Sequence, residues 1–368
     1  MIRSFSLVII LLLTGSFYSW ADIDFTTTFV LDQKHREKLQ ALVENNDQVN
    51  DLWQALQKRL SNHIKAVPDP AEVINYEGLL DTNPLRIVTT KQLEDMNIIA
   101  DLLFGWYISD DPNYRFKLKD YINAWATKYV PTGNPINENK LISLIHAYAV
   151  LRSDFEPNEQ KLIDRWLDQI AQAEMSNERV PMNNWEAKRI KLVHTISIAT
   201  GEEDLADFAY QHFKDYIDYS LYPDGTSRDL ESRDALHYHL SGLDPLLSYG
   251  IMVELHGPQN LNVYTYQAED GASIRKSIDY VVPYALGEKT RQEWINSKVK
   301  LDQERANAGL EKYQPGKLFD PKESLDTFTL AWYYNDDYLT VVQKISNQDQ
   351  DDNSTWNWDR VLVLTLKD

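Results

Sequence analysis

Between Asp224 and His239 the chain reads DGTSRDLESRDALHYH, a short span that holds Arg228, Arg233, His237, Tyr238 and His239. A Pro-Asp-Gly turn (Pro223, Asp224, Gly225) precedes it, and an apolar helical pattern of Leu240, Leu243, Leu246 and Leu247 follows. Arginine, tyrosine and histidine delivered to the mouth of a helix suit proton transfer beside an anion, because acid–base groups then sit within the field of a positive charge. The same residues also suit a plain helix start with a solvated charge cluster, so the reading depends on what else the chain supplies.

A second polar junction, Asn183-Asn184-Trp185 followed by Lys188 and Arg189, lies where a loop enters a helix. Capping is the ordinary task of asparagine there. An amide that instead donates to a carboxylate, with Lys188 and Arg189 one turn on, would hold an anionic sugar. The loop from Pro131 to Glu138 carries Asn134 and Asn137 on a backbone stiffened by two prolines, and these are further candidate substrate contacts. The eight histidines include His146 and His194 within helical patterns, and no HExxH or similar ligand spacing occurs, so neither a metal nor a cofactor is expected. Nucleophile-elbow, phosphate-loop and dinucleotide motifs are missing from the sequence.

Apolar residues recur at helical spacing along most of the chain. A helix is expected over residues 34–64, a long structured loop over Val67–Thr89, and helices over Gln92–Ile108, Ser273–Leu286, Glu288–Ala308 and Leu325–Tyr334. Strand-like alternation is confined to short pieces such as Val361–Leu366. Amphipathic helices joined alternately by short turns and longer polar loops predict an all-α fold, an incomplete barrel of helical hairpins with the polar loops on one rim. No Gly/Ser-rich linker divides the chain, so a single domain is expected over residues 22–368. Residues 1–21 read as a secretory signal, with Arg3, the apolar run Leu7–Leu13 and the small-x-small site Ser19-Trp20-Ala21, which implies export, with a periplasm the best fit. The chain has 368 residues, no cysteine and a formal net charge of −19, which makes it a poor nucleic-acid partner. After signal removal no apolar stretch is long enough for a membrane partner. An anionic ligand would need a local basic pocket.

Several stretches together resemble the alginate lyase family of polysaccharide lyases: INYEG (Ile74–Gly78), AWATKYVPTGNPINENK (Ala124–Lys140), NNW (Asn183–Trp185), RDALHYH (Arg233–His239) with LDPLL (Leu243–Leu247), and SIRKSIDYVVPYALG (Ser273–Gly287). The resemblance implies an α/α toroid that cleaves a polyuronate by β-elimination. It maps the family's catalytic asparagine onto Asn184 and its tyrosine onto Tyr238. The family often has histidine after the asparagine pair, where this chain has Trp185. The family arginine stands seven residues before the tyrosine, where this chain has Glu231, and Arg233 is the nearest substitute.

On this reading Asn184 and Arg233 neutralise the uronate carboxylate, with Trp185, Lys188 and Arg189 as further contacts. Tyr238 takes the C5 proton and protonates the leaving O4. His239 or His237 assists, or serves as a separate base for the opposite stereochemistry. The expected partner is an anionic polysaccharide. Two other readings remain open at this point. A glycoside hydrolase on a similar toroid would draw two carboxylates from Asp224, Asp229, Glu231 and Asp234, and a non-catalytic protein would only bind a glycan.

Overall fold

The structure is a computed structural model and describes residues 27–257, 261–346 and 356–367. The expected signal segment and its cleavage site lie outside the described residues. Sixteen α-helices are described: α1 (Gln33–Asn45), α2 (Asp47–His63), α3 (Pro84–Ser109), α4 (Pro112–Lys128), α5 (Pro135–Glu138), α6 (Ile142–Leu151), α7 (Pro157–Met175), α8 (Asn184–Thr200), α9 (Glu203–Ser220), α10 (Arg228–Arg233), α11 (Leu236–His256), α12 (Ile274–Ala285), α13 (Lys300–Asn307), α14 (Leu325–Trp332), α15 (Asp337–Ser346) and α16 (Trp358–Leu366). Among the described residues extended pairing is limited to two isolated bridges, Leu221 with Ser227 and Gln292 with Leu318.

The packing order makes a ring. Helix α3 packs on α6, α6 on α8, α8 on α11, α11 on α14 and α14 on α16, while α1 packs on both α16 and α3 and so closes the circle. Helices α2, α4, α7, α9, α12 and α15 pack outside. This is the expected α/α toroid. The division follows from sequence. Helix α6, ISLIHAYAVL, is apolar nearly all round and buried on most sides, whereas α7 buries only one stripe, Ile163, Trp166, Leu167 and Ile170.

Four helices open on one device, a polar residue followed by proline at the first helical position: Asn83-Pro84, Asp111-Pro112, Asn134-Pro135 and Glu156-Pro157. Proline costs nothing there because its missing N–H would have had no partner. The expected loop over Val67–Thr89 therefore ends at Asn83, whose side chain caps α3. The expected single helix over residues 34–64 is divided at Asn46, which leaves the helical region and caps α2 through Gln48 N and Val49 N. Val361–Leu366 is helical, not strand-like, because α16 lies against α1 and α14 and buries its face there. The expected helix over Glu288–Ala308 is reduced to Lys300–Asn307. The residues before α13 instead form an irregular excursion pinned to the start of α11.

Candidate functional site

The loop-rich rim holds a cleft of about 240 Å³ lined by residues from five parts of the chain. The loop before α3 supplies Tyr76 and Glu77, the entry to α6 supplies Lys140, the start of α8 supplies Asn184, Trp185 and Lys188, and the α10–α11 corner supplies Arg233, His237 and Tyr238. Arg305 of α13 and Tyr313 close the far side.

Asn183 leaves Asn184 available to the cleft. The Asn183 side chain caps α8 by accepting from Trp185 N at 3.0 Å, so the capping task falls one residue earlier than the candidate. The Asn184 backbone N–H is taken by buried Asp229 at 2.8 Å, and its side-chain amide stands 3.4 Å from Ser241 Oγ. One turn later Lys188 Nζ donates to the same Ser241 hydroxyl at 3.0 Å. Burial pushes Lys188 down to about 8, against the pull of Asp244 and Asp229. Replacing Asn183 by alanine should remove about 1 kcal/mol of stability through the lost cap, to be read by chemical denaturation, while Asn184 keeps its anchor on Asp229.

Tyr238 sits between two guanidinium groups. Arg233 lies 3.6 Å from the centre of its ring, and Arg305 Nη1 donates to its hydroxyl at 2.8 Å. Asp302 holds Arg233 in place at 3.0 Å. Burial raises the phenol above its ordinary value, while Arg233 and Arg305 pull the other way. The tyrosine belongs to a small satellite core with Ala235, Trp294 and Tyr313, which fixes the ring while the hydroxyl faces the cleft.

The corner carrying these residues depends on distant support. Asp234 ends α10 in the left-handed conformation, at φ 52°, and its carboxylate accepts from Arg291 at 2.5 Å and from the Asn296 backbone at 3.0 Å. Glu293 accepts from Leu236 N and so caps α11 from outside the helix. His237 pairs with Glu323 at 3.2 Å.

Three expected site residues have other tasks. His239 is buried behind the cleft, with Nδ1 2.7 Å from Ser227 Oγ and Nε2 3.1 Å from Ser277 O. Burial lowers it to about 4, so it stays neutral and ties α11 to α10 and α12. Arg189 points away from the cleft, about 100° around α8 from Lys188, into a buried pair with Glu186, and its Nη1 donates to Glu174 O and Asn177 O. Asn137 holds the loop before α3, accepting from Glu77 N at 2.8 Å and donating to Ile74 O at 2.9 Å.

Asn134 caps α5, and its side chain beside Glu77 favours the charged form of that carboxylate. It thus reaches the cleft only through Glu77. Burial raises Glu77, and Arg305 and Arg233 oppose that rise. Glu77 is the cleft's lining carboxylate. Asp224, Glu231 and Asp234 line a separate depression, and Asp229 is buried behind Asn184. Sequence reasoning assigned no role to Glu77, Lys140, Arg305 or Tyr313. The first two lie in segments singled out by pattern, but nothing in the sequence marks Arg305, which reads as one more helical charge.

Comparison with known proteins bears on the family and the fold. The family model described as Alginate lyase matches residues 32–291. No curated protein sequence gives a significant match. An alginate lyase from Bacteroides ovatus superposes with a TM-score of 0.66 at 15% identity, covering 92% of this chain and 99% of that one. Alginate lyase A1-III from Sphingomonas species A1 superposes with a TM-score of 0.55 at 15% identity, covering 84% and 90%. A variant of the latter, solved with a tetrasaccharide, superposes with a TM-score of 0.57. The family match spans well over half of the sequence and includes the loop before α3, the start of α8 and the α10–α11 corner, so the chain belongs to the alginate lyase family and is a polysaccharide lyase.

Proposed function

We propose that the protein cleaves a polyuronate by β-elimination, acting where the C5 proton and the C4–O4 bond lie on the same face of the sugar, as in mannuronan or glucuronan. The observation that carries this reading is the Tyr238 hydroxyl, 2.8 Å from Arg305 with Arg233 against its ring, in a cleft that also holds Asn184. The C5 proton is hard to remove because the adjacent carboxylate already bears negative charge. Asn184, Arg233 and Lys188 donate to that carboxylate and stabilise the charge that develops on it in the transition state. The Tyr238 phenolate takes the C5 proton, the electron pair forms the C4–C5 double bond, and the C4–O4 bond breaks. The same hydroxyl then returns the proton to O4. The products are a new reducing end and a chain ending in an unsaturated uronate.

One group serves both steps only when proton and leaving group share a face. Trp185 occupies the position where the family often has a histidine, and His239 is neutral and buried, so neither supplies a base on the opposite face. A hydrolase would need two carboxylates roughly 5–9.5 Å apart across the bond, and the cleft offers Glu77 alone among its lining residues. The test follows ultraviolet absorbance of the conjugated double bond on four polymers. Mannuronan or glucuronan should give signal, while guluronan and polygalacturonate, with the opposite C4–C5 relationship, should give little. Equal rates on both classes would overturn the same-face mechanism. Reducing ends released without absorbance would overturn elimination itself.

A further inference from the structure

A second, more enclosed cavity of about 80 Å³ lies inside the ring, lined from α6, α8 and α11 and bordered by Thr27–Phe29. Lys140 lines both this cavity and the cleft. Lys191 stands two turns along α8 from Asn184, and its ammonium has no hydrogen-bond acceptor among the described residues. Ser248 of α11 is 4% exposed, and its hydroxyl likewise has no protein partner among them. Several other polar groups on the wall have protein partners. His146 Nδ1 lies 2.9 Å from the Thr28 hydroxyl, and Ser143 donates to Met96 O at 3.0 Å. The lining contains no carboxylate. The acid whose charge favours the Lys191 ammonium is Asp244, and one of its oxygens is taken by the Thr327 hydroxyl.

Lys191 is half-buried and Ser248 is buried, and the bonds both lack within the protein point into the cavity, where an anion would accept from both. Burial and the neighbouring Lys188 push Lys191 down to about 8, which still leaves it charged at neutral pH. We infer that this cavity binds one small anion of halide or carboxylate size, held by Lys191 Nζ and Ser248 Oγ, with Lys140 on the side facing the cleft. The site is separate from the uronate contacts proposed above, and its tests do not depend on turnover.

Crystals of the wild-type protein soaked in bromide should show an anomalous peak between Lys191 and Ser248. In solution, formate or bromide should raise Tm saturably by about 2 °C or more over gluconate at equal ionic strength, since a ligand that binds only the folded state stabilises it. Lys191→Met should abolish the difference, and Ser248→Ala, which preserves the packing, should weaken it. An empty cavity in the bromide soak, or identical Tm in formate and gluconate, would overturn the inference. So would a Tm response that survives both substitutions. Displacement of the bromide peak by soaked glucuronate would make the cavity a sugar subsite and overturn a small-anion site.

Discussion

Replacing Tyr238 by phenylalanine is expected to lower turnover by at least ~100-fold, the lower end of what a positioned acid–base group contributes. The substitution removes one oxygen and leaves the ring against Arg233 and Trp294, so the satellite core keeps its packing. The lost charge-assisted hydrogen bond from Arg305 should cost about 1.5–3 kcal/mol of stability. Asn184, Arg233 and Lys188 remain, so affinity for the polymer should change little. The measurement is the initial rate of unsaturated product formation by the folded variant, together with its Kd for the polymer.

The pH dependence of the wild type provides an independent check. Burial holds the phenol above its ordinary value, so at neutral pH the phenolate is the minor form and the rate should rise with pH. Lys188, lowered to about 8, loses its charge at lower pH than the phenol ionises, so affinity should weaken and part of the gain in rate should be offset as pH rises past that point. Near wild-type turnover in Tyr238→Phe would return the proton transfer to His237, which also lines the cleft.

The parts of this site that were legible in the sequence share a physical basis. Asn184, Lys188 and Tyr238 sit at helix starts, where local spacing fixes the direction of a side chain, and the ring of helices brings those starts to one rim. Arg189 misled because residues next to each other on a helix point about 100° apart. Lys188 faces the cleft and its neighbour faces Glu186. His239 misled for a similar reason, being one position past Tyr238 and turned towards Ser277. Arg305 was not legible because its contact with Tyr238 spans 67 positions. It depends on an excursion held by Asp234 and Glu293, and neither tie follows a local pattern. The helical period over Glu288–Ala308 was lost to those same ties, a tertiary override of local preference.

Arg189→Ala is expected to cost about 3–5 kcal/mol of stability, the penalty for breaking a buried ion pair from one side. Glu186 is fully buried, and Arg189 grips it with two nitrogens, leaving His212 Nδ1 at 2.8 Å as its other partner. The substitution also strips a donor from Glu174 O and Asn177 O, at the end of α7 and in the turn that leads to Asn183 and Asn184. Urea titration should show the loss as a lower midpoint with little change in slope. The fraction that remains folded should retain the wild-type KM, because Arg189 does not line the cleft. Removing both charges, with Arg189→Met and Glu186→Leu together, should recover much of the stability, since an apolar pair avoids the desolvation that two buried ions incur. Weaker polymer binding at unchanged stability would show that Arg189 acts on the substrate after all. It would also mean that its pairing with Glu186 opens when substrate enters.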